Sequence, residues 1–508
     1  MDFNRTGNAK KAIITGLIIK VLTIVFPFIM RTIIIYTLGT LYLGLNSLFT
    51  SILNTLNLAE LGVGSVLVFA MYRPVADDNK AEIRALLGIY RKIYYIIGIF
   101  VTVAGICIIP FLKNIINGPY PPDINIYIIY IMYLVSTVAG YFFMAYKGSI
   151  LNAYQRVDII NIVSCAVSIF IYMIQIIALL IFHNYYIYIG ALVFGAVTQN
   201  LIVAGIVEKK YPDLKPEGTI DKETKHMIAK KTGALMGHKL GDVVVNSIDN
   251  IFISFFLGLN LVAIYNNYFY VITALSGVFL MLTGGLNSIV GNYLIKKSSE
   301  ESYKLFCILH YAISLTICFC CSCLLNMFQP FMLLWVGENY ILSFSSVALF
   351  SLYFFAVKIR TIGLLFKDSA GMWEKDFLKP YIQIIIDLVL DIILLSTIGI
   401  NGAIISTIAC MIFGFFYEGH VVFKYCLNNK PYRYYLISLL YLIITALSCL
   451  VSFIICKNVL FDSNIIQLAF NFIISASVSV GLFFVSTHFL DESKNSIRFF
   501  KNRMRKKI

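Results

Sequence analysis

The chain reads as an all-α integral membrane protein of about fourteen transmembrane helices. They are expected to form two pseudo-symmetric six-helix bundles followed by two C-terminal helices. Three observations predict this. Hydrophobic residues fill 59% of the 508 positions and charged residues only 13%; a soluble chain of this length would form roughly two to four domains with far more surface charge. Apolar stretches of about 20 residues, the length that crosses a bilayer, recur from end to end. The basic residues outside those stretches fall almost entirely in alternate loops, as the positive-inside rule requires.

The first span, 12–38, follows Arg5, Lys10 and Lys11. It exceeds the roughly 7–15 apolar residues of a signal peptide and no small-residue cleavage site follows, so it is expected to be retained. The spans 42–71, 85–112, 124–146, 158–182 and 186–207 complete a first bundle over 1–207. The longest polar interruption, 208–232, is read as a cytoplasmic linker. A second bundle, 233–427, takes the spans 233–257, 261–295, 305–327, 341–366, 380–398 and 401–423. Spans 434–456 and 465–490 and a basic tail make up 428–508. Several spans are long enough to tilt or protrude. Segments 39–41, 183–185 and 258–260 are tight turns. Segment 328–340, with Pro330 and Trp335, is the longest on the outer side and is read as interfacial.

Of 40 Lys and Arg, only Lys113 and Lys457 fall in outer segments, so both termini are expected in the cytoplasm. The net charge of +14 follows from the same bias and does not point to nucleic acid. Cys318, Cys320, Cys321 and Cys323 lie mid-span without His or carboxylate neighbours and read as small apolar filler.

A weak internal repeat runs through the chain. Leu38-Gly39 and Gly44-Leu45-Asn46-Ser47 resemble Leu257-Gly258 and Ala263-Ile264-Tyr265-Asn266. Ala153-Tyr154-Gln155 falls near Ala370-Gly371-Met372, and Ile189-Gly190-Ala191 resembles Asn401-Gly402-Ala403. The near-constant offset, with six spans per repeat, implies halves of the same orientation.

Apart from Arg91 and Lys92 in the first turns of span 85–112, five basic residues sit inside spans: Lys20, Arg31, Lys239, Lys358 and Arg360. A charge at the bilayer centre costs roughly 2.5–3.5 kcal/mol on insertion scales, so each is a functional candidate. Polar residues also recur at helical spacing. Lys20, Thr23, Pro27 and Arg31 align in span 1. Asn46, Thr50, Asn57 and Glu60 align in span 2, with Gly62 and Gly64 loosening the helix after them. Lys239, Asp242, Asn246 and Asp249 align in span 7, and Gln383, Asp387 and Asp391 in span 11. Turned inward, these stripes describe a central cationic cavity. Arg31, Lys20, Lys239 and Lys358 are the candidate anion-binding residues. Arg360, about 200° around the helix from Lys358, is read as an interface anchor. Asp249, Asp387, Asp391, Asp242 and Glu60 are candidates for Na⁺ or H⁺ coupling, the competing role being to neutralise the buried lysines. No other cofactor and no metal is expected.

No phosphate-binding glycine loop, nucleophile elbow or zinc motif appears, and no large outer domain is available for catalysis. An enzyme is therefore not expected.

Leu38-Gly39 through Asn46-Ser47, Leu58-Ala59-Glu60-Leu61-Gly62-Val63-Gly64 and the run from Gly241 to Asn250 resemble the Wzx-type polysaccharide flippases. These belong to the multidrug/oligosaccharidyl-lipid/polysaccharide exporter superfamily, whose drug-exporting branch is the MATE transporters. The resemblance covers essentially the whole chain. It implies a bacterial inner-membrane protein that moves undecaprenyl-diphosphate-linked oligosaccharide repeat units for surface polysaccharide biosynthesis. Its partners would be that lipid-linked oligosaccharide and membrane lipids, with a polysaccharide polymerase and glycosyltransferases nearby. Two other readings are a cation-coupled multidrug antiporter of the same fold and a polysaccharide polymerase or ligase.

Overall fold

The computed structural model describes residues 5–60 and 62–505, and among them all regular structure is helical. The order is α1 (Arg5–Thr37), α2 (Thr40–Leu56), α3 (Val63–Ala76), α4 (Lys80–Ile108), α5 (Leu112–Ile115), α6 (Ile126–Phe142), α7 (Gly148–Ala153), α8 (Val157–Leu180), α9 (Tyr185–Lys210) and α10 (Lys222–Leu257). Then follow α11 (Leu259–Gly284), α12 (Leu286–Lys296), α13 (Ser299–Val336), α14 (Phe344–Ile359), α15 (Thr361–Ser369), α16 (Lys379–Ile398), α17 (Ile400–Tyr425), α18 (Tyr432–Asn458), α19 (Asn464–Thr487) and α20 (Asp491–Arg505). Every one of the fourteen expected spans falls on helix. Among the described residues ten helices are long and apolar enough to cross a membrane. Taken as one span, α6 and the helical residues 145–153, bent by 45° from each other, make an eleventh. Three shorter apolar helices, Val21–Thr37, Val63–Ala76 and Ser247–Leu257, lie in the remaining expected spans.

The helix starts are written in short polar side chains. Asn79, Asn125, Asn184, Asp221, Ser298 and Ser343 each accept a hydrogen bond from a backbone N–H two or three residues on. Asp221 therefore starts α10 inside what reads as a polar linker. Further up that linker Lys80 Nζ reaches Asp213 at 2.8 Å and holds its carboxyl below the ordinary carboxylate range.

The chain divides into two compact units, Met1–Ala263 and Ile264–Ile508. In the first, α1 packs along α8, α8 on α9, α9 on α6, and α10 on α2 and α3. Span 7 thus belongs with the first unit. Gly44 brings α2 onto the start of α11: a Cβ there would sit 2.2 Å from the Leu259 carbonyl oxygen. In the second unit α16 and α17 pack closely, with Gly402 against the Leu394 backbone, where a Cβ would meet atoms at 2.4 Å.

The sequence repeat has a backbone counterpart. Gly39 ends α1 at φ 99°, ψ 172°, and Gly258 ends α10 at φ 87°, ψ 172°. Only glycine enters this region without strain. Gln155 and Gly371, at φ 57° and 68°, repeat the left-handed turn of the second matching pair.

The structure departs from expectation after span 9. Segment 328–340 is not a loop for most of its length: α13 runs on to Val336 and the chain turns at Gly337. Phe328, Met332, Trp335 and Val336 are buried, so apolar packing carries the helix past Pro330.

The two C-terminal helices dock on α13 through small polar residues. Asn326 Nδ2 donates to Ser452 Oγ at 2.8 Å and Ser475 Oγ at 2.9 Å, while Asn471 donates to the Asn326 carbonyl. Small and hydrogen-bonding side chains are how helices associate where lipid removes the hydrophobic drive. Arg433 at the start of α18 pairs with Glu492 on α20 at 2.8 Å.

Candidate functional site

In the first unit, span 2 is broken rather than merely loosened. α2 ends at Leu56, a single 3₁₀ turn covers Asn57–Glu60, and α3 follows Gly62 at φ 91°. The break presents Glu60 to three tyrosines. Tyr94 and Tyr141 donate to its two carboxylate oxygens, Tyr141 also lies 3.1 Å from Asn57 Oδ1, and Tyr90 is 3.3 Å from Tyr94. Gly64 leaves the room: a Cβ there would lie 2.7 Å from the Tyr90 hydroxyl. A carboxylate so held needs no lysine to stay in place.

The upper part of the same stripe joins a chain of phenols. Asn46 accepts from Tyr133, which meets Tyr185 at 3.2 Å, and Tyr42 donates to Asp123. Arg31 is half-buried on α1, past Pro27, within electrostatic reach of Tyr188. Phe26, five residues before Arg31, stacks on Tyr172 at 4.6 Å and ties α1 to α8. Asp249 is buried on α10 beside Asn250, whose Nδ2 donates to Ser51 Oγ at 2.8 Å. The side chains of Lys20, Lys239 and Asp242 lie outside the described residues.

In the second unit, Gln383, Asp387 and Asp391 share the buried face of α16, as their spacing predicts. Gln383 donates to the Cys410 carbonyl at 3.0 Å. Asp387 and Asp391 are both 0% exposed and offer carboxylate oxygens within 4.8 Å of each other. Ser406 donates to Asp391. Neither oxygen of Asp387 has a hydrogen-bond partner among the described residues, nor does the second oxygen of Asp391. A buried charge left so is costly. A proton or a small hard cation such as Na⁺ suits this all-oxygen donor set.

Lys358 is half-buried near the end of α14, its ammonium 5.5 Å from the Phe279 ring centroid and 5.7 Å from that of Phe354. Among the described residues it pairs with no carboxylate. The acids of α16 therefore do not neutralise it. Ser351, two turns before it on α14, donates to the Cys321 carbonyl at 3.0 Å.

Arg360 corrects the sequence reading. It is not an interface anchor. It is buried, with Nε and Nη2 on the two oxygens of Glu418 at 3.1 and 2.6 Å. Lys379 Nζ joins the same Glu418 at 2.6 Å and lies 3.4 Å from Asp376, which Lys367 reaches at 2.6 Å. All five side chains are buried. Gly414 accommodates the guanidinium: a Cβ there would lie 2.9 Å from Arg360 Cζ. Sequence reading overlooked Glu418, although a lone acid in span 12 and a lone Arg in span 10 are a detectable signal of pairing.

A many-spanned helical protein that keeps cations and carboxylates within its apolar helices has the makings of a membrane carrier. Residues 9–286, more than half of the chain, match the family described as polysaccharide biosynthesis protein. The chain belongs to that family, and the kinship with polysaccharide flippases of the exporter superfamily read from its sequence stands.

Solved structures agree on the fold. A structure of the lipid II flippase MurJ in an inward closed conformation superposes with a TM-score of 0.65 at 14% identity, covering 94% of this chain and 99% of that one. An inward-facing multidrug resistance MATE family transporter of the MOP superfamily gives 0.61 at 16% identity, covering 80% and 98%. A mutant of the Vibrio cholerae MATE transporter VcmN gives 0.54 at 15%, covering 83% and 98%. No curated protein matches the chain. At these identities the likeness establishes the shared fold alone.

Proposed function

We propose that this protein is a flippase. It would carry undecaprenyl-diphosphate-linked oligosaccharide repeat units across the bacterial inner membrane by alternating access, without a catalytic step of its own. The observation that carries this reading is Lys358, an ammonium kept inside an apolar helix with no carboxylate partner among the described residues. In a member of the polysaccharide biosynthesis family, an anion is the natural counter-charge, and Lys and Arg are the usual partners of phosphate. Arg31, Lys20 and Lys239 are assigned the same role. A drug antiporter would take mainly cationic cargo, which these residues repel.

The test is transport. Arg31→Ala, and less strongly Lys20→Ala, Lys239→Ala and Lys358→Ala, are expected to reduce export of the lipid-linked sugar while the protein stays in the membrane. One lost charge-assisted hydrogen bond corresponds to about 1.5–3 kcal/mol. Undiminished surface polysaccharide in all four variants overturns the cationic path.

The lysine-rich side is assigned to the cytoplasm. Reporter fusions at both ends are expected to read cytoplasmic, and an external C-terminus would sink the fourteen-span topology.

A further inference from the structure

Each unit carries a pair of short helices toward its lysine-rich end, and the two pairs are related by the repeat. In the first unit α3 packs on α7; in the second α12 packs on α15. Each pair follows breaks in two spans: α2 gives way to α3 and α6 to α7, α11 to α12 and α14 to α15. A buried cation stands at the second break of each pair, Lys147 before α7 and Arg360 before α15. Each pairs with a glutamate on the last helix of its repeat, Lys147 with Glu208 on α9 and Arg360 with Glu418 on α17. The offset between the two ion pairs is close to that between Ala153-Tyr154-Gln155 and Ala370-Gly371-Met372. They are one latch, present twice.

The latches differ in what covers them. The Glu418 side chain is 1% exposed and that of Glu208 63%. The difference comes from α18, which lies outside the repeat. The Tyr434 ring packs on Phe415 and Phe423, and the Tyr435 hydroxyl donates to the Phe416 carbonyl, so α18 lines α17 before and after Glu418. A Cβ on Gly419 would meet Tyr435 at 2.8 Å, whereas one on Gly205, three residues before Glu208, would meet nothing within 4 Å. An ion pair open to water is weak and screened by salt. A buried pair is costly to break and screened much less.

The breaks differ in the same sense. In the first unit the chain enters α3 through Gly62 at φ 91° and reaches α7 through Met144 at φ 60°, where the helices on either side bend by 45°. A methionine in the left-handed region is strained. In the second unit Gly285 and Arg360 both keep a helical φ of −70°, and Phe344–Ser369 runs on as one membrane-length helix. Hinges are the few residues at element ends that absorb a change in backbone angles, and only the first unit has its pair of short helices hung on two of them.

We propose that α3 and α7 form the moving arm of this carrier on its lysine-rich side. The arm is hinged at Gly62 and Met144 and latched by the pair of Lys147 with Glu208. Its counterpart, α12 with α15, is held fixed because α18 covers Glu418. The inference rests on reading the protein as a carrier and needs no particular cargo. It gives α18 a part beyond the two repeats: making two like halves unequal.

Hydrogen exchange of the full-length protein in nanodiscs, read by mass spectrometry without cargo, tests it. Raising the salt to about 1 M should speed exchange in α3 and α7 by about two- to fivefold, the weight of one exposed ion pair. Exchange in α12 and α15 should not change. Glu208→Gln should reproduce the effect at low salt and remove the salt response. Tyr434→Ala with Tyr435→Ala, which uncovers Glu418, should give α15 a salt response of its own. An equal salt response in both pairs, or none in α3 and α7, overturns the proposal. So does an α15 that stays unresponsive in the folded tyrosine variant. The wild-type salt series decides the matter should either variant fail to fold. Because no cargo is present, a negative result leaves the flippase reading standing.

Discussion

Glu418→Ala is expected to remove most of the folded protein from the membrane. Glu418 is the shared counter-ion of Arg360 and Lys379, and both cations are buried with it. Without it Arg360 loses both of its Glu418 hydrogen bonds, and Lys379 loses its 2.6 Å partner and retains Asp376 at 3.4 Å. Removing one partner of a buried pair costs about 3–5 kcal/mol, because a charge is left uncompensated in low dielectric. That is a large part of the roughly 5–15 kcal/mol by which folded proteins are stable. Thermal unfolding in detergent and the yield in the membrane fraction measure it. Replacing the pair together, Arg360→Met with Glu418→Met, should recover part of the loss, since well-packed apolar residues often stand in for a buried ion pair. A single variant as stable as the wild type would mean that water reaches the network.

Asp387→Asn should leave stability intact or raise it, yet abolish any transport driven by an ion gradient. The side chain is 0% exposed and neither oxygen finds a partner among the described residues. As a structural element such a carboxylate is a liability; an amide of the same shape removes the charge. As an ion ligand it is indispensable, because the amide neither binds a proton nor neutralises a cation. Asp391→Asn should act in the same direction but more weakly, with Ser406 still bonded to the remaining oxygen. Purified protein in vesicles with imposed Na⁺ or proton gradients separates the two roles. Gradient-independent flipping, unchanged in both Asn variants, would assign these acids a purely structural part.

The membrane class, the all-helical architecture and the polar faces were legible because they depend on local chemistry. Hydropathy over about 20 residues decides a span, and a 3.6-residue period decides which side chains share a face. Asp387 and Asp391 were found on one buried face for that reason. The Gly39 and Gly258 turns were legible as a repeat because both require the same positive φ.

Where reading failed, the deciding partner lay far away in sequence. Arg360 looked like an interface anchor because nothing within its own helix explained it; its partner Glu418 is 58 residues on, in another helix. The continuation of α13 past Pro330 had the same origin, since the burial of Met332 and Trp335 is a property of the packed protein and not of their own sequence.

By itself, then, the sequence determined that this protein lives in a membrane and which polar residues recur at helical spacing. These follow from the transfer energies of single side chains and the pitch of a helix. Only the tertiary structure decided which charges pair with each other and which do not. Arg360, Lys367 and Lys379 pair with Glu418 and Asp376, whereas Lys358 rests on two phenylalanine rings. The physical reason is that an ion pair in low dielectric depends on separations of a few ångströms between helices, and no local pattern encodes them.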